Sequence, residues 1–199
     1  MATIENVVTS GTFTLDGQSW EVENNIWLIG DDSQVLIVDA AHNAEPIIDA
    51  VAGREVVGIV CTHGHNDHIN VVVDLYAAVR APIWLHPGDH MLWDELHATV
   101  RPDHELADNT RFEVGGTVLR AIHTPGHSPG STCLHAPELG VLFSGDTLFS
   151  GGPGATGRSY SSFDTIVDSI RTRLLTLPDD TVVHTGHGGS TTIGAEKEI

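Results

Sequence analysis

Hydrophobic positions along this chain recur at two periods, and the places where the period changes mark out its elements. In the N-terminal third, β-branched and aromatic residues come in runs bounded by Gly and Asp pairs: FTL before an Asp16-Gly17 turn, WEVENNIWLIG after it, then QVLIVDA. These read as strands, the first two flanking a hairpin turn. EPIIDAV follows as a short helix closed by Gly53, and EVVGIVCT is a nearly continuous apolar run, the pattern of a strand covered on both faces. VVVDLYAAVR then places Val72, Leu75, Tyr76 and Val79 at helical spacing, and PIWLH reads as another short strand.

The stretch PGDHMLWDELHATVRPDHELADNT has no clean period and predicts a helix plus irregular loop. A second set of strands follows in TRFEV, TVLRAIHT, STCLHA and GVLFSGD, with turns at Gly115-Gly116 and between Pro137 and Gly140. SSFDTIVDSIRTRLLTL puts Phe163, Ile166, Val167, Ile170, Leu174 and Leu177 on one helical face, with a Ser cap before it and Pro178 after it. TVVHTG is a last strand. The order is strands, helix, strand, helix, and then the same again, so the α/β chain reads as two halves facing each other. No linker divides it, and residues 1–199 read as a single domain.

Composition narrows the class. Apolar residues make up 40% and charged residues 18% of the chain, a globular profile. Nine basic residues against 27 acidic ones give a formal charge of −18, with Lys197 the single lysine. That field repels phosphate backbones, so nucleic acid is not an expected partner. The opening MATIENVVTS has no basic residue before Arg54 and no apolar core, unlike a secretory signal, and nowhere do eighteen apolar residues run together as a membrane span needs. Cys61 and Cys133 show no pairing pattern and read as small buried thiols. A cytoplasmic location is the expectation.

The chemistry is concentrated in residues 60–70, VCTHGHNDHIN. With 13 His and 16 Asp in the chain, His-x-His-x-Asp-His arises by chance with a frequency of about 0.004. In extended backbone, residues i and i+2 project to one side, so His63 and His65 can grip one ion. Asp67 and His68 lie past the bend, at the start of a helix, and point to a neighbouring position. His127 in IHTPGHSPG, Asp146 in VLFSGDTLF and His187 in VVHTGHGG each follow an apolar strand in a Gly-rich turn. Imidazole and carboxylate suit zinc, iron or manganese, and seven such ligands suffice for two ions. The other histidines, His42, His86, His90, His97, His104, His123, His135 and His184, read as surface, rim or packing residues. Trp84, Met91 and Trp93 are weaker candidates for a substrate mouth than for the core.

With VLIVDA, THGHNDH, TPGHSPGS, SGDTLFSG and TGHGGSTTIGAE in place, nearly the whole chain resembles the metallo-β-lactamase-fold hydrolases. It is most similar to the compact members of the type II glyoxalase kind, which hydrolyse hydroxyacyl thioesters. The resemblance implies a four-layer αββα sandwich. It also implies His63, His65 and His127 on a first metal, Asp67, His68 and His187 on a second, Asp146 bridging the pair, and Asp39 orienting the ligand loops. Two divalent ions, zinc by preference with iron or manganese as alternatives, would activate a bridging water as the nucleophile and polarise the carbonyl. Asp67 and Asp146 are then the catalytic carboxylates, and a small-molecule thioester is the expected partner.

Type II glyoxalases acting on glutathione esters resemble one another in a basic, helical C-terminal extension, whereas this sequence runs twelve residues beyond His187. A different low-molecular-weight thiol carrier is therefore an open alternative to glutathione. Arg158, in SGGPGATGRSY, is the candidate for holding a substrate carboxylate, against a role in stabilising its own loop. The nearest rival is a persulfide dioxygenase with one iron on His63, His127 and Asp146; those relatives tend to carry an acidic residue after the last Gly-His, where this chain has Gly188. A lactonase of the same fold is a further alternative. β-Lactam hydrolysis in a periplasm fits poorly with the missing signal, and a nuclease would need an inserted domain. A metal-binding module without catalysis fits poorly with a complete ligand set.

Overall fold

A strand that is apolar along nearly its whole length must be covered on both faces, and the runs VLIV and VVGIV are of that kind. The computed structural model describes residues 2–199. It begins with β1 (Thr3–Leu15), β2 (Gln18–Gly30), β3 (Gln34–Val38), α1 (Glu45–Val51), β4 (Glu55–Val60), α2 (Asn66–Ile69), α3 (Val72–Val79), β5 (Ile83–Leu85), α4 (His90–Leu96) and β6 (His104–Glu105). The second half holds β7 (Arg111–Val114), β8 (Thr117–His123), β9 (Thr132–Ala136), β10 (Val141–Gly145), β11 (Leu148–Phe149), β12 (Gly152–Pro153), α5 (Phe163–Ser169), β13 (Val182–Thr185) and β14 (Thr191–Thr192).

One six-stranded sheet runs in the order β1-β2-β3-β4-β5-β6, the other β14-β13-β10-β9-β8-β7. Period-2 alternation sorts their side chains into three cores. From β2 and β3, Ile26, Leu28, Val35 and Ile37 turn outward and pack with Ile47 of α1 and Val72 and Leu75 of α3. Their neighbours Trp27, Ile29, Leu36 and Val38 turn inward and meet Phe112, Leu119, Leu134 and Phe143 of the second sheet. On the far side Ile122, Cys133, Leu142 and Val183 pack with Ile166, Ile170 and Leu174. Three cores make four layers, the αββα sandwich the sequence implied.

The β1–β2 hairpin pairs without interruption from Thr3↔Gly30 to Leu15↔Gln18, far more strand than FTL alone suggests. Its tip carries positive φ at Asp16 (53°) and Gly17 (73°), the requirement of the tight turn that matches strand twist. The irregular stretch after β5 becomes a 3₁₀ turn at Pro87–Asp89, then α4 and the two-residue β6. The long helix expected after Ser162 is α5 followed by a π-helical segment, Ile170–Leu174. Ser162 caps it as expected, accepting from Thr165 N–H at 3.3 Å, whereas Phe163 is 60% exposed and lies off the buried face.

The carboxyl ends of β3 and β4, a parallel pair, and of β10 and β13, another parallel pair, lie at one edge of the sandwich. Thr132 N–H donates to Thr62 O (2.9 Å) and Asn25 N–H to Gly186 O (2.8 Å), stitching the halves there. Phe143 is fully buried between the sheets, 5.9 Å from the Trp27 ring. Phe143→Ala is expected to destabilise the fold by about 3–5 kcal/mol through the cavity it leaves. In urea unfolding this would lower the midpoint at unchanged slope; a loss below about 1 kcal/mol would mean the two sheets are not held by this core.

Candidate metal centre

Each residue singled out in the sequence comes from the carboxyl end of a strand or the turn beyond it. His63 and His65 follow β4, Asp67 and His68 open α2, His127 lies between β8 and β9, Asp146 follows β10 and His187 follows β13. The structure brings all seven together. His63 Nε2 lies 3.0 Å from His65 Nδ1, which lies 3.0 Å from His127 Nε2. Beside this trio, His68 Nε2 and His187 Nε2 are 3.3 Å apart, with Asp67 Oδ2 at 3.6 and 3.2 Å from them. Asp146 stands between the groups, Oδ1 at 3.4 Å from His68 Nε2 and Oδ2 at 3.3 Å from His187 and 3.6 Å from His127. Gly186 makes this approach possible: a Cβ there would lie 2.3 Å from Asp146 Oδ1.

The far sides of the rings determine what the near sides can do. His127 Nδ1–H donates to Ala155 O (2.8 Å), His187 Nδ1–H to Glu23 O (2.7 Å) and His68 Nδ1–H to Asp39 Oδ2 (2.8 Å). Thr62 Oγ1 donates to Asp39 Oδ2 (2.9 Å), leaving it to accept from His63 Nδ1–H at 3.1 Å. A neutral imidazole with Nδ1–H engaged presents a lone pair at Nε2, so these rings aim lone pairs at one another. Facing lone pairs call for a cation between them. The donor spacings of 3.0–3.6 Å bracket the roughly 3.3 Å expected of two ligands placed 2.0–2.1 Å from a tetrahedral ion. Asp146 Oδ1 and His65 Nε2 are buried and make no hydrogen bond within the protein. Two groups of three, His63–His65–His127 and Asp67–His68–His187, could each hold an ion, with Asp146 within reach of both.

Asp39 lies behind the ligand candidates. With φ of 66°, it accepts Thr62 N–H (2.7 Å), Thr62 Oγ1–H and His68 Nδ1–H, tying the start of the ligand loop to a ligand ring. Asn24, which the sequence reading did not name, and His42, which it read as a non-ligand, support Asp67. Asn24, fully buried, donates to Asp67 Oδ2 (3.2 Å), while its Oδ1 faces His42 Nε2 (2.8 Å). His42 is no ligand, yet it fixes the amide that steadies one.

A cavity of about 560 Å³ opens above these groups, lined by Phe13, Trp20, Glu21, Glu23, Ala155 and Arg158 and, of the ligand candidates, by His65, Asp67, His127, Asp146 and His187. The Arg158 guanidinium stacks 4.1 Å from the Trp20 ring centre and 5.1 Å from that of Phe13. Its loop is held to the hairpin tip, where Ser159 N–H and Oγ–H donate to Asp16 at 3.0 and 2.6 Å. Trp93 is buried in the outer core and Trp84 packs against the inner one, so the mouth aromatics are Phe13 and Trp20. Their signal was countable, since they are cross-strand partners equidistant from the Asp16-Gly17 turn. Cys61 and Cys133 are buried free thiols, as expected. Among the described residues no helix is long and apolar enough to cross a membrane.

A four-layer αββα sandwich with paired His/Asp groups at one edge defines a class of metal-dependent hydrolases. The profile of the Metallo-beta-lactamase superfamily matches residues 20–187, and the chain belongs to that superfamily, whose members are typically dinuclear metal hydrolases. The hydroxyacylglutathione hydrolase GloC of Haemophilus influenzae is 33% identical over 192 residues, covering 88% of this chain and 90% of GloC. Among solved structures, BLEG-1 B3 metallo-beta-lactamase is similar with a TM-score of 0.80 and 30% identity, covering 96% of this chain and 97% of that one. TTHA1623 in a di-iron-bound form gives 0.79 and 30%, covering 88% and 93%.

In the metal-free protein, protons stand in for cations. Burial, reinforced by His127, holds His65 down to about 3, and burial, reinforced by His123, holds His86 down to about 4. Burial opposes charge on His187 too, but Asp146 and Asp67 override it and raise that ring to about 10. Burial likewise opposes ionisation of Asp67, and the neighbouring His68 outweighs it, lowering the carboxyl to about 2. Unfolding frees His65 and His86 to take up protons near their ordinary value of 6.5, so folding weakens as pH falls from there toward 4. The His187 contribution is fully present below 6.5 and is lost as pH rises toward 10. The chelator-stripped protein is expected to show its highest Tm near pH 6.5 and to lose stability in both directions; a Tm climbing steadily from pH 6.5 to pH 4 contradicts these assignments.

Proposed function

We propose that this protein hydrolyses a hydroxyacyl or acyl thioester of a low-molecular-weight thiol at a two-metal centre. The observation that carries the reading is the convergence of seven ligand candidates, four of the rings held from behind with lone pairs forward, beneath a cavity that five of them line and that Arg158 borders. Similarity to GloC supports the thioester class, and similarity to a di-iron-bound protein supports two ions. Two divalent ions, held by His63, His65 and His127 and by Asp67, His68 and His187 with Asp146 between, would supply Lewis acidity to the thioester carbonyl and lower the pKa of a water.

The chain's own residues do the rest. Arg158, flattened on Trp20 and Phe13, keeps its planar fork free for a carboxylate on the thiol carrier, a use that Lys could not match. Phe13 and Trp20 give the acyl or carrier chain an apolar wall. Apart from the ligand set, the ionisable groups lining the cavity are Glu21, Glu23 and Arg158. A thioester tolerates this arrangement because a thiol, of pKa about 8.5, leaves as the thiolate without prior protonation, whereas an amine does not. Asp146 lies closest to both groups, and its carboxylate stays ionised because His68 and His187 outweigh the effect of burial.

Protein purified without chelator is expected to carry close to two divalent ions and to release acid and free thiol anaerobically from a panel of S-lactoyl and S-acyl thiol esters, glutathione esters included. Oxygen uptake on a persulfide by the iron form alone, with no thioester turnover in any form, would replace this reading with the mono-iron dioxygenase. Asp146→Ala is expected to lower the affinity for both ions and to cost several kcal/mol of transition-state stabilisation, about a thousandfold in kcat/KM. Arg158→Ala should raise KM for carboxylate-bearing thiol esters about tenfold with little change in kcat; an equal effect on esters lacking a carboxylate would assign the arginine to its loop instead.

A further inference from the structure

His63, His65 and His127 must share one ion, yet they belong to different halves of the sandwich. His63 and His65 flank Gly64 in the loop after β4, and His127 sits in the loop after β8. Between these loops lies Asp89, with no exposed surface. Its Oδ2 accepts Gly64 N–H at 2.8 Å and Ser128 Oγ–H at 2.7 Å, and its Oδ1 accepts Gly130 N–H at 2.6 Å. All three donors are neutral, and their hydrogen bonds work against burial, which raises the carboxyl above its ordinary value. Asp89 is itself held, at the end of the Pro87–Asp89 turn, by its N–H donating to His86 O at 3.0 Å. The loops close on it so tightly that a Cβ on Gly130 would lie 2.6 Å from its Cγ.

We propose that Asp89 is a positioning residue for the His63–His65–His127 group, setting the distance between the two loops that supply it and leaving the Asp67–His68–His187 group untouched. The inference rests on the two-metal reading. The chemistry of the clamp requires acceptors on both oxygens. An amide offers one acceptor oxygen and one NH₂ donor. Placed here, Asn would turn its NH₂ against either the Gly130 N–H or the Gly64 N–H, so Asp89→Asn keeps the shape and reverses one contact. The Ser128 hydroxyl also meets Ser131 Oγ at 2.8 Å, so Ser128→Ala removes a single strand of the clamp while both backbone bonds remain.

The test is a competition titration of zinc against a chromophoric chelator, resolving two sites in the wild-type protein. Asp89→Asn is expected to weaken one site about 10–100-fold and leave the other unchanged, with Ser128→Ala weakening the same site several-fold. Combining Asp89→Asn with His127→Ala should lower the remaining site no further than His127→Ala alone. A folded Asp89→Asn protein that binds both ions as tightly as wild type overturns the proposal, as does equal weakening of both sites, which would mark a general structural role. Should Asp89→Asn not fold, an unchanged pair of sites in Ser128→Ala overturns it. A wild-type protein that binds fewer than two ions would instead defeat the two-metal reading, so the two failures are distinguishable.

Discussion

Four buried imidazoles and a half-buried fifth cannot face one another across about 3 Å unless their surroundings dictate which nitrogen carries the proton. Everything else at this edge of the molecule answers that constraint. Ala155 O, Glu23 O, Thr62 Oγ1 and Asp39 Oδ2 are acceptors contributed by a loop, a strand, a strand end and a turn. They can stand in a circle only because two sheets present their strand ends at the same level. The inner core of Trp27, Leu36, Phe143 and their neighbours therefore does more than exclude water: it fixes the relative height of the acceptors.

His65 is the exception that tests this account. It faces the centre through Nδ1, and its Nε2 is buried with no protein partner. Its ring instead lies 5.3 Å from that of Phe13, tilted by 57°. Packing from the hairpin thus takes over the orienting task that hydrogen bonds perform elsewhere. A packed ring is held in plane but is free to differ in proton position, so this is the ring whose electronic character depends most on what fills the cavity above it.

The α/β order, the two halves and the seven ligand candidates were legible because each rests on a local signal: an apolar run, a Gly-rich turn after it, a histidine or aspartate in that turn. Asp39 was legible through the resemblance of VLIVDA. What escaped notice lies where burial is produced by short pieces. Asp89 sits in a three-residue 3₁₀ turn, a length too small to show a period. Asn24 lies in a strand whose alternation is interrupted by polar residues, and only the closing of His42, with positive φ, onto it reveals its task. Phe163 was misplaced because helical spacing predicts a face but not where along the helix the covering sheet ends.

The β1–β2 hairpin leaves the edge of the first sheet and runs 13 residues out and 13 back to deliver Phe13, Trp20 and the Asp16 tether to the cavity mouth. Its distal half contributes no ligand. Adding or removing one cross-strand pair near the tip would shift the wall of the mouth by the rise of about one residue per strand, some 3.4 Å, without moving any strand end that bears a donor. The wall of the cavity and the ligand candidates on its floor are thereby carried on separable lengths of chain. The ribbon can lengthen while the floor of the site stays as it was, and because side chains alternate between its faces, two cross-strand pairs are the step that keeps Phe13 and Trp20 facing the cavity.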